Sequence, residues 1–172
     1  MTKASNYLGT AGELHIASEL ALRGYVVHVP MTDEGGDLFL VRESDGVTGR
    51  IQVKASLEGV HPKLPGYPAF TFTIKSAMLS APNASTVKNK LLCAMLMIAT
   101  NSKSWSTTLV IPARVLLKLS PLQAGSPSKT IWIIVDPATG DLHLGGKGGY
   151  ILNRYAKNWD RFFPVVVGRS SI

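Results

Sequence analysis

Residues 34–56, "EGGDLFLVRESDGVTGRIQVKAS", contain two apolar runs separated by turn-forming residues. The runs "LFLV" and "IQV" predict buried strands, and "SDGVTG" between them predicts the turn of a β-hairpin. Three polar side chains interrupt this pattern, because Asp37 precedes the first run while Gln52 and Lys54 belong to the second. Strands of this kind favour Val and Ile, so the three polar residues need an explanation other than packing.

The hairpin predicts that these three side chains meet. Gln52 and Lys54 are two residues apart, so they share one face of their strand at a separation of roughly 6.5–7 Å. Ile51 and Val53 then point to the opposite face and pack. Between Asp37 and Gln52 there is room for one strand, a turn and the partner strand. Pairing the two strands therefore places the carboxylate beside the amide and the ammonium group.

A carboxylate, an amide oxygen and an ammonium group at one sheet edge are typical of a hard-cation site. Mg²⁺ prefers oxygen ligands in octahedral geometry and keeps several waters, and Mn²⁺ is its usual substitute. In such a site Lys54 would orient or deprotonate a water molecule and offset charge on an attacked phosphate. The three residues therefore predict metal-dependent chemistry on a phosphate ester.

The pattern "GGD", fourteen residues and "QVK", preceded by a helix carrying "GE", resembles the PD-(D/E)xK nuclease superfamily. Within it the pattern is most similar to the Mrr-like restriction endonucleases and the archaeal Holliday-junction resolvases. The resemblance covers residues 6–56. It implies a restriction-endonuclease-like α/β (α+β) core, in which helices flank a central mixed β-sheet. It also implies a homodimeric, magnesium-dependent endonuclease that hydrolyses duplex or branched DNA.

The resemblance assigns a role to each residue of the pattern. Asp37 would be the central metal ligand, Gln52 would replace the usual second acid, and Lys54 would be the catalytic lysine. The backbone carbonyl of Val53 would complete the metal shell. Because Gln52 is neutral, the pair Asp37 and Gln52 presents one negative charge instead of two. Resolvases of this pattern use a helix glutamate, which implies that Glu13 supplies the second charge.

Glu19 is the alternative to Glu13 on the same helix. Residues 6–23 predict that helix, with Ser5 as its N-cap and Gly24 as a left-handed C-terminal residue. Glu13 falls on the apolar face, whereas Glu19, six positions later, lies about 240° around the axis. The two carboxylates can hardly face one site, and the apolar face favours Glu13.

The rest of the chain predicts further strands and helices around this hairpin. Residues 57–68 contain three prolines and two glycines and predict an irregular loop. The run at 90–100 fits a strand or a helix, and a strand is favoured. The other predicted elements are strands at 25–30, 69–74 and 106–112, two strands around a turn within 129–144, and helices at 113–119 and 152–163.

Length and composition limit the classes of protein to which the chain can belong. The 172 residues fit a single domain, 1–172, and one cysteine excludes an internal disulfide. No apolar run reaches the roughly 18 residues that cross a bilayer, and the first ten residues lack a signal-peptide core. We therefore expect a cytoplasmic protein. The net charge of +7 fits a polyanionic partner, although a basic surface kept for solubility explains it equally well.

Two further residues are candidates for contacts to DNA phosphates: Ser56, two residues after Lys54 at the end of the predicted second strand, and Lys147 in "GGKGG". Three alternatives to a nuclease stay open. In the first, Asp37 caps a turn while Lys54 protects a strand edge from aggregation. In the second, the chain is a non-catalytic nucleic-acid-binding or assembly protein on the same scaffold. In the third, it is an unrelated small-molecule enzyme, which only the glycine-rich segment favours.

Overall fold

Helix α1 (Lys3–Leu22) is the first element of the chain in the computed structural model. The structure describes residues 3–31, 37–75, 90–99, 104–119 and 127–166. The helix ends as predicted, because Gly24 adopts a left-handed conformation with φ of +85°. Its start lies earlier than predicted, since neither Gly nor Pro interrupts the first residues. Ser5 therefore lies inside the helix, and its assignment as the N-cap is wrong.

The described strands form two sheets. They are β1 (Val26–His28), β2 (Leu38–Arg42), β3 (Val47–Leu57), β4 (Gly59–His61), β5 (Leu64–Lys75), β6 (Lys90–Ala99), β7 (Thr107–Pro112), β8 (Ser128–Val135), β9 (Leu142–Leu144) and β10 (Tyr150–Ile151). Sheet A has the order β1-β2-β3-β6-β7, and sheet B has the order β10-β9-β8-β5-β4. Strands β3 and β6 run parallel, while every other described pair is antiparallel.

The predicted hairpin is confirmed as β2 and β3. Leu38 pairs with Ile51 and Arg42 pairs with Val47, in one uninterrupted antiparallel register. The segment at 90–99 is a strand, as favoured, and it pairs with β3 on the side away from β2. Strand β3 is therefore the centre of sheet A, with the candidate residues on it.

Sheet A lies between α1 and sheet B. On one face, the helix residues Ile16 and Leu20 pack with Ile51 and Val53 of β3. The other face packs against sheet B through β7 and the inward-facing side chains of β5 and β8, namely Leu109, Ile111, Phe70, Phe72, Ile131 and Ile133. The predicted class, a central mixed β-sheet with flanking helices, is confirmed. The second sheet was not part of the prediction.

Residues 57–68 were predicted to be a loop, and this is wrong. They contain β4 and the beginning of β5, and β4 continues sheet B almost directly from the end of β3. Pro68 pairs with Val60 beside a register shift between Val60 and His61. Proline is tolerated at bulges and sheet edges, where a missing N–H leaves no ladder partner unsatisfied.

The predicted closing helix at 152–163 is also wrong. The chain forms a 3₁₀ helix (Asn153–Tyr155) and then a single turn, α3 (Trp159–Phe162). Lys157 between them has a φ of +49°, and its N–H donates to the Thr108 carbonyl at 2.8 Å. Pairing with β7 thus replaces the intrahelical bonds. Helix α2 (Ala113–Leu119) forms as predicted.

Gly49 fixes the packing of the hairpin that carries the site. A Cβ atom built on Gly49 would lie 2.8 Å from Cγ of Leu40, which is almost fully buried in the cluster against α1. We expect Gly49→Ala to destabilise the protein by about 1–3 kcal/mol, because the buried leucine must move. Urea denaturation measures this. Gly9→Ala is the control, since nothing lies within 4 Å of that position; equal stability of both variants would contradict the expectation.

Candidate active site

The start of β2 places Asp37 opposite Gln52. Leu38 is the first residue of β2 and pairs with Ile51, so the same register sets the preceding residue, Asp37, opposite Gln52. The N–H of Asp37 donates to the carbonyl of Ile51 at 2.9 Å, which holds the backbone at that position. The spacing of the two residues in the sequence thus corresponds to a direct cross-strand neighbour pair.

Strand β3 extends past the first residue of β2. There the Asp37 carboxylate takes the place of a backbone partner for Val53. Its Oδ2 accepts the N–H of Val53 at 2.8 Å and a hydrogen bond from Nε2 of Gln52. Gln52 is 4% exposed, so its buried amide is satisfied by this contact. The carboxylate therefore caps the open edge of β3 and fixes the amide at the same time.

Lys54 completes a charged group around Asp37. Its Nζ lies 3.6 Å from Oδ2 of Asp37, and its side chain is 32% exposed against 19% for the aspartate. The alternation along β3 is as predicted, because Ile51 and Val53 belong to the core beneath α1. The ammonium group is thus held at the strand edge by a carboxylate and still reaches solvent.

Glu13 of α1 feels the charges of Asp37 and Lys54. Partial burial of its carboxyl raises the pKa above the usual value, the charge of Asp37 raises it further, and Lys54 opposes the rise. Two carboxylates therefore share one neighbourhood with a single ammonium group. We call Glu13, Asp37, Gln52 and Lys54 the Asp37 cluster.

Glu19 lies on the other flank of the buried stripe of α1. It lines a cavity of about 350 Å³ together with Trp105 and Trp159, at the side of the helix that faces β7. The structure therefore separates the two helix glutamates, as the helical geometry predicts, and the charge of Asp37 raises the pKa of Glu13. That Glu13 serves as a ligand remains a prediction.

The carbonyl of Val53 lies at the same open edge. Within a strand, the N–H and C=O of one residue point to the same side, and the N–H of Val53 points at Asp37. Nε2 of Gln52 lies 3.5 Å from this carbonyl oxygen, which places the two groups together. A backbone oxygen is therefore available beside the carboxylate.

The oxygen atoms at this edge are of the kinds that hard cations prefer. Asp37 and Glu13 carry two negative charges, and Mg²⁺ accepts carboxylate, amide and carbonyl oxygens while keeping waters. Rotating the Gln52 amide by 180° exchanges its nitrogen for its oxygen in the same place. Within the ranges that the structure describes, no group of three or more His, Cys, Asp or Glu side chains is arranged to hold a metal. A cation here would therefore depend on the neutral oxygens and water as well.

The structure gives the two candidate phosphate contacts different surroundings. Ser56 is buried, and its Oγ accepts the N–H of Thr71 at 3.1 Å, which joins β3 to β5. Lys147 is exposed in the turn between β9 and β10, with its Nζ 5.7 Å from the ring centre of Tyr67. A hydrogen bond with the Tyr67 hydroxyl raises the pKa of Lys147.

The sequence reading missed the cavity beside Glu19. His15 and Glu19 are four residues apart on α1 and share a face, which was the available local signal. Trp105 and Trp159 are far away in the sequence, so only the packing of β7 and α3 against the helix reveals the cavity. Among the described residues, no helix combines the length and apolar composition needed to cross a membrane.

Glu13→Gln tests whether the helix carboxylate belongs to the Asp37 cluster. Since folding raises the pKa of Glu13, the associated stability is present below the unfolded value near 4.5 and is lost as pH rises through the folded value. The variant should therefore melt at a higher temperature than the wild type at neutral pH without metal, and at the same temperature in acid. Calorimetric unfolding measures both.

The same variant should bind Mn²⁺ about 10- to 100-fold more weakly, because one of two acidic ligands is lost. Glu19→Gln is the matched control, since it removes the same charge on the opposite flank and should keep wild-type affinity. Isothermal titration calorimetry with Mn²⁺ measures the affinity of each variant. If only the Glu19 variant binds Mn²⁺ more weakly, then Glu19 is the metal ligand and Glu13 is not.

Comparisons with known proteins add little to this geometry. No protein-family model matches the chain, and no curated protein matches it. Among solved structures, a bacterial homing endonuclease, I-Ssp6803I, is similar over 92% of this chain and 91% of its own, with 12% identity and a TM-score of 0.49. A likeness this distant supports no conclusion about activity, metal or partner.

Proposed function

We propose that the chain is a metal-dependent endonuclease of the PD-(D/E)xK type that hydrolyses DNA phosphodiester bonds. Residues 1–172 would form its single domain. One observation carries the proposal: Oδ2 of Asp37 contacts the Gln52 amide and the Val53 N–H and lies 3.6 Å from the Lys54 ammonium. Glu13 is close enough for the charge of Asp37 to raise its pKa. Two acids, an amide and an amine at a strand edge suit phosphoryl chemistry better than packing.

The residues at the open edge of β3 would hold the cation. Asp37 and Glu13 would supply the charge, while the Gln52 amide oxygen and the Val53 carbonyl would supply neutral ligands. Bound there, Mg²⁺ would act as a Lewis acid on the phosphate and lower the pKa of the attacking water.

Lys54 would act on the substrate from the same edge. Its ammonium group is oriented by Asp37 and is partly exposed, so it can reach a phosphate oxygen at the surface. There it would orient the water and stabilise the negative charge that develops in the transition state. The neighbouring core residues Ile51 and Val53 hold β3 against α1 and keep this geometry rigid.

The partner that this site would act on is DNA, in duplex or branched form. The net charge of +7 favours binding to the phosphate backbone, since each Lys or Arg contact releases condensed counterions. Cutting both strands of a duplex requires two sites, so the proposal includes a homodimer.

Cleavage of supercoiled plasmid and of a four-way DNA junction tests the activity. With Mg²⁺ or Mn²⁺ the wild-type protein should nick or cut at least one of them, and a chelator should stop the reaction. The double variant Glu13→Gln with Asp37→Asn, prepared in parallel, should not cleave either DNA. If the wild type and the double variant leave equal amounts of intact DNA with both metals, the activity is absent.

A second candidate function rests on the hydrogen bonds of Asp37. Its carboxylate already accepts from two groups of β3, which is what a purely structural cap would do. On this alternative the chain binds nucleic acid or assembles with it without cutting. DNA binding without cleavage, combined with no heat of Mn²⁺ binding by the wild type, would favour this alternative over the nuclease.

A further inference from the structure

The cavity on the Glu19 flank of α1 has aromatic walls. It lies between α1, the beginning of β7 and α3, and it measures about 350 Å³. The rings of His15 and Trp105 line it with their centres 6.1 Å apart and their planes tilted by 35°. Trp159 lines it as well and is 8% exposed, so the core holds this ring in place. Rigid aromatic surfaces of this kind suit a flat ring as ligand.

Two charged side chains line the same cavity. Within the described parts of the chain, the Glu19 carboxylate has no ion-pair or hydrogen-bond partner. Lys157 lies across from the helix in the turn that pairs with β7, held by its N–H to the Thr108 carbonyl. A cavity with an available acceptor, a cation and aromatic walls can bind a ring that carries N–H donors and an attached anion.

We propose that this cavity binds a guanine nucleotide, with the base against the aromatic residues. Guanine presents adjacent N–H donors on its pairing edge, which a single carboxylate can accept together, so Glu19 would select it. The other bases present at most one such donor group beside an acceptor, and the carboxylate repels that acceptor. Lys157 would meet the phosphate as a point charge.

This site goes beyond the proposed endonuclease activity and is separate from the Asp37 cluster. Glu19 and Glu13 lie on opposite flanks of α1, so a nucleotide in the cavity does not occupy the edge of β3. In a DNA complex, the base would come from an unstacked nucleotide. A free mononucleotide binds without any cleavage, so its binding is tested independently of the nuclease.

The experiment is a titration of the wild-type protein with guanosine 5′-monophosphate, followed by tryptophan fluorescence and by calorimetry. We expect saturable binding with a sub-millimolar Kd and weaker binding of adenosine 5′-monophosphate. Glu19→Gln should weaken guanosine monophosphate binding at least about tenfold, as loss of a charged hydrogen-bond acceptor does. Glu43→Gln, on the exposed hairpin turn, is the control and should bind like the wild type.

Lys157→Gly gives a second variant that should fold well, because its φ of +49° suits glycine and the backbone bond to Thr108 is retained. It should lose affinity for the nucleotide but not for guanosine without phosphate. Absence of saturable binding by the wild type, equal affinity for both nucleotides, or equal binding by the Glu19 and Glu43 variants would each overturn the proposal. The affinity for Mn²⁺ should stay unchanged in these variants. Nucleotide binding and the proposed metal-dependent nuclease activity are therefore tested independently.

Discussion

Lys54→Ala is expected to slow Mg²⁺-dependent DNA cleavage about 100- to 1,000-fold, the usual loss when one preorganised electrostatic group is removed from a transition state. The ammonium group lies 3.6 Å from Asp37 at a partly exposed strand edge. Its loss should hardly change stability, because a partly exposed ion pair contributes at most about 1 kcal/mol. Initial rates of plasmid nicking at saturating metal measure the effect, with thermal unfolding recorded alongside.

Lys118→Ala is the matched control for this substitution. Lys118 is exposed on α2, so removing it takes away the same charge at a distance from β3. The control should cleave at the wild-type rate or close to it. If the Lys54 variant cleaves DNA at the same rate as the control, Lys54 has no catalytic role.

Asp37→Asn should abolish detectable cleavage and weaken Mn²⁺ binding about 100-fold, since the central charged ligand becomes neutral. Its folding should be nearly normal, because an asparagine oxygen still accepts the N–H of Val53. Asp37→Ala should instead cost about 1–3 kcal/mol of stability, because that N–H and the Gln52 amide lose their acceptor. Calorimetry for the metal and urea denaturation for stability separate the two effects.

The comparison of these two variants distinguishes a ligand from a structural cap. If Asp37 only caps β3, then Asp37→Asn should be silent in every assay and only Asp37→Ala should show a defect. If it is a ligand, the asparagine variant loses metal binding while it remains folded. If the wild type and the asparagine variant bind Mn²⁺ with equal affinity, Asp37 is not a metal ligand and serves only as a structural cap of β3.

The hairpin and its polar edge were predictable from the sequence because the relevant contacts are local. Alternation along residues 51–54 determines which side chains share a face, and the turn between the strands determines the register. Asp37 therefore falls opposite Gln52, as the spacing predicts. The buried stripe of α1 likewise separated Glu13 from Glu19 before any packing was known.

The failures of prediction have different physical origins. The start of β5 contains prolines and glycine that suggest a loop, yet β4 beside it forms the edge of sheet B. Near the C-terminus, local periodicity suggests a helix, but Lys157 bonds to Thr108 of β7 instead. This last bond joins residues about fifty positions apart, and no local pattern contains it. The cavity between α1 and α3 escaped detection for the same reason.

A crystal of the protein soaked with Mn²⁺, with data collected at the manganese absorption edge, shows whether the edge of β3 binds a metal ion. An anomalous peak is expected at the open edge of β3, within coordination distance of the Asp37 carboxylate and the Val53 carbonyl, and with Glu13 turned toward it. Density that shows the Asp37 carboxylate still bonded only to Val53 and Gln52, with no peak beside it at saturating Mn²⁺, would contradict the metal site and the nuclease built on it.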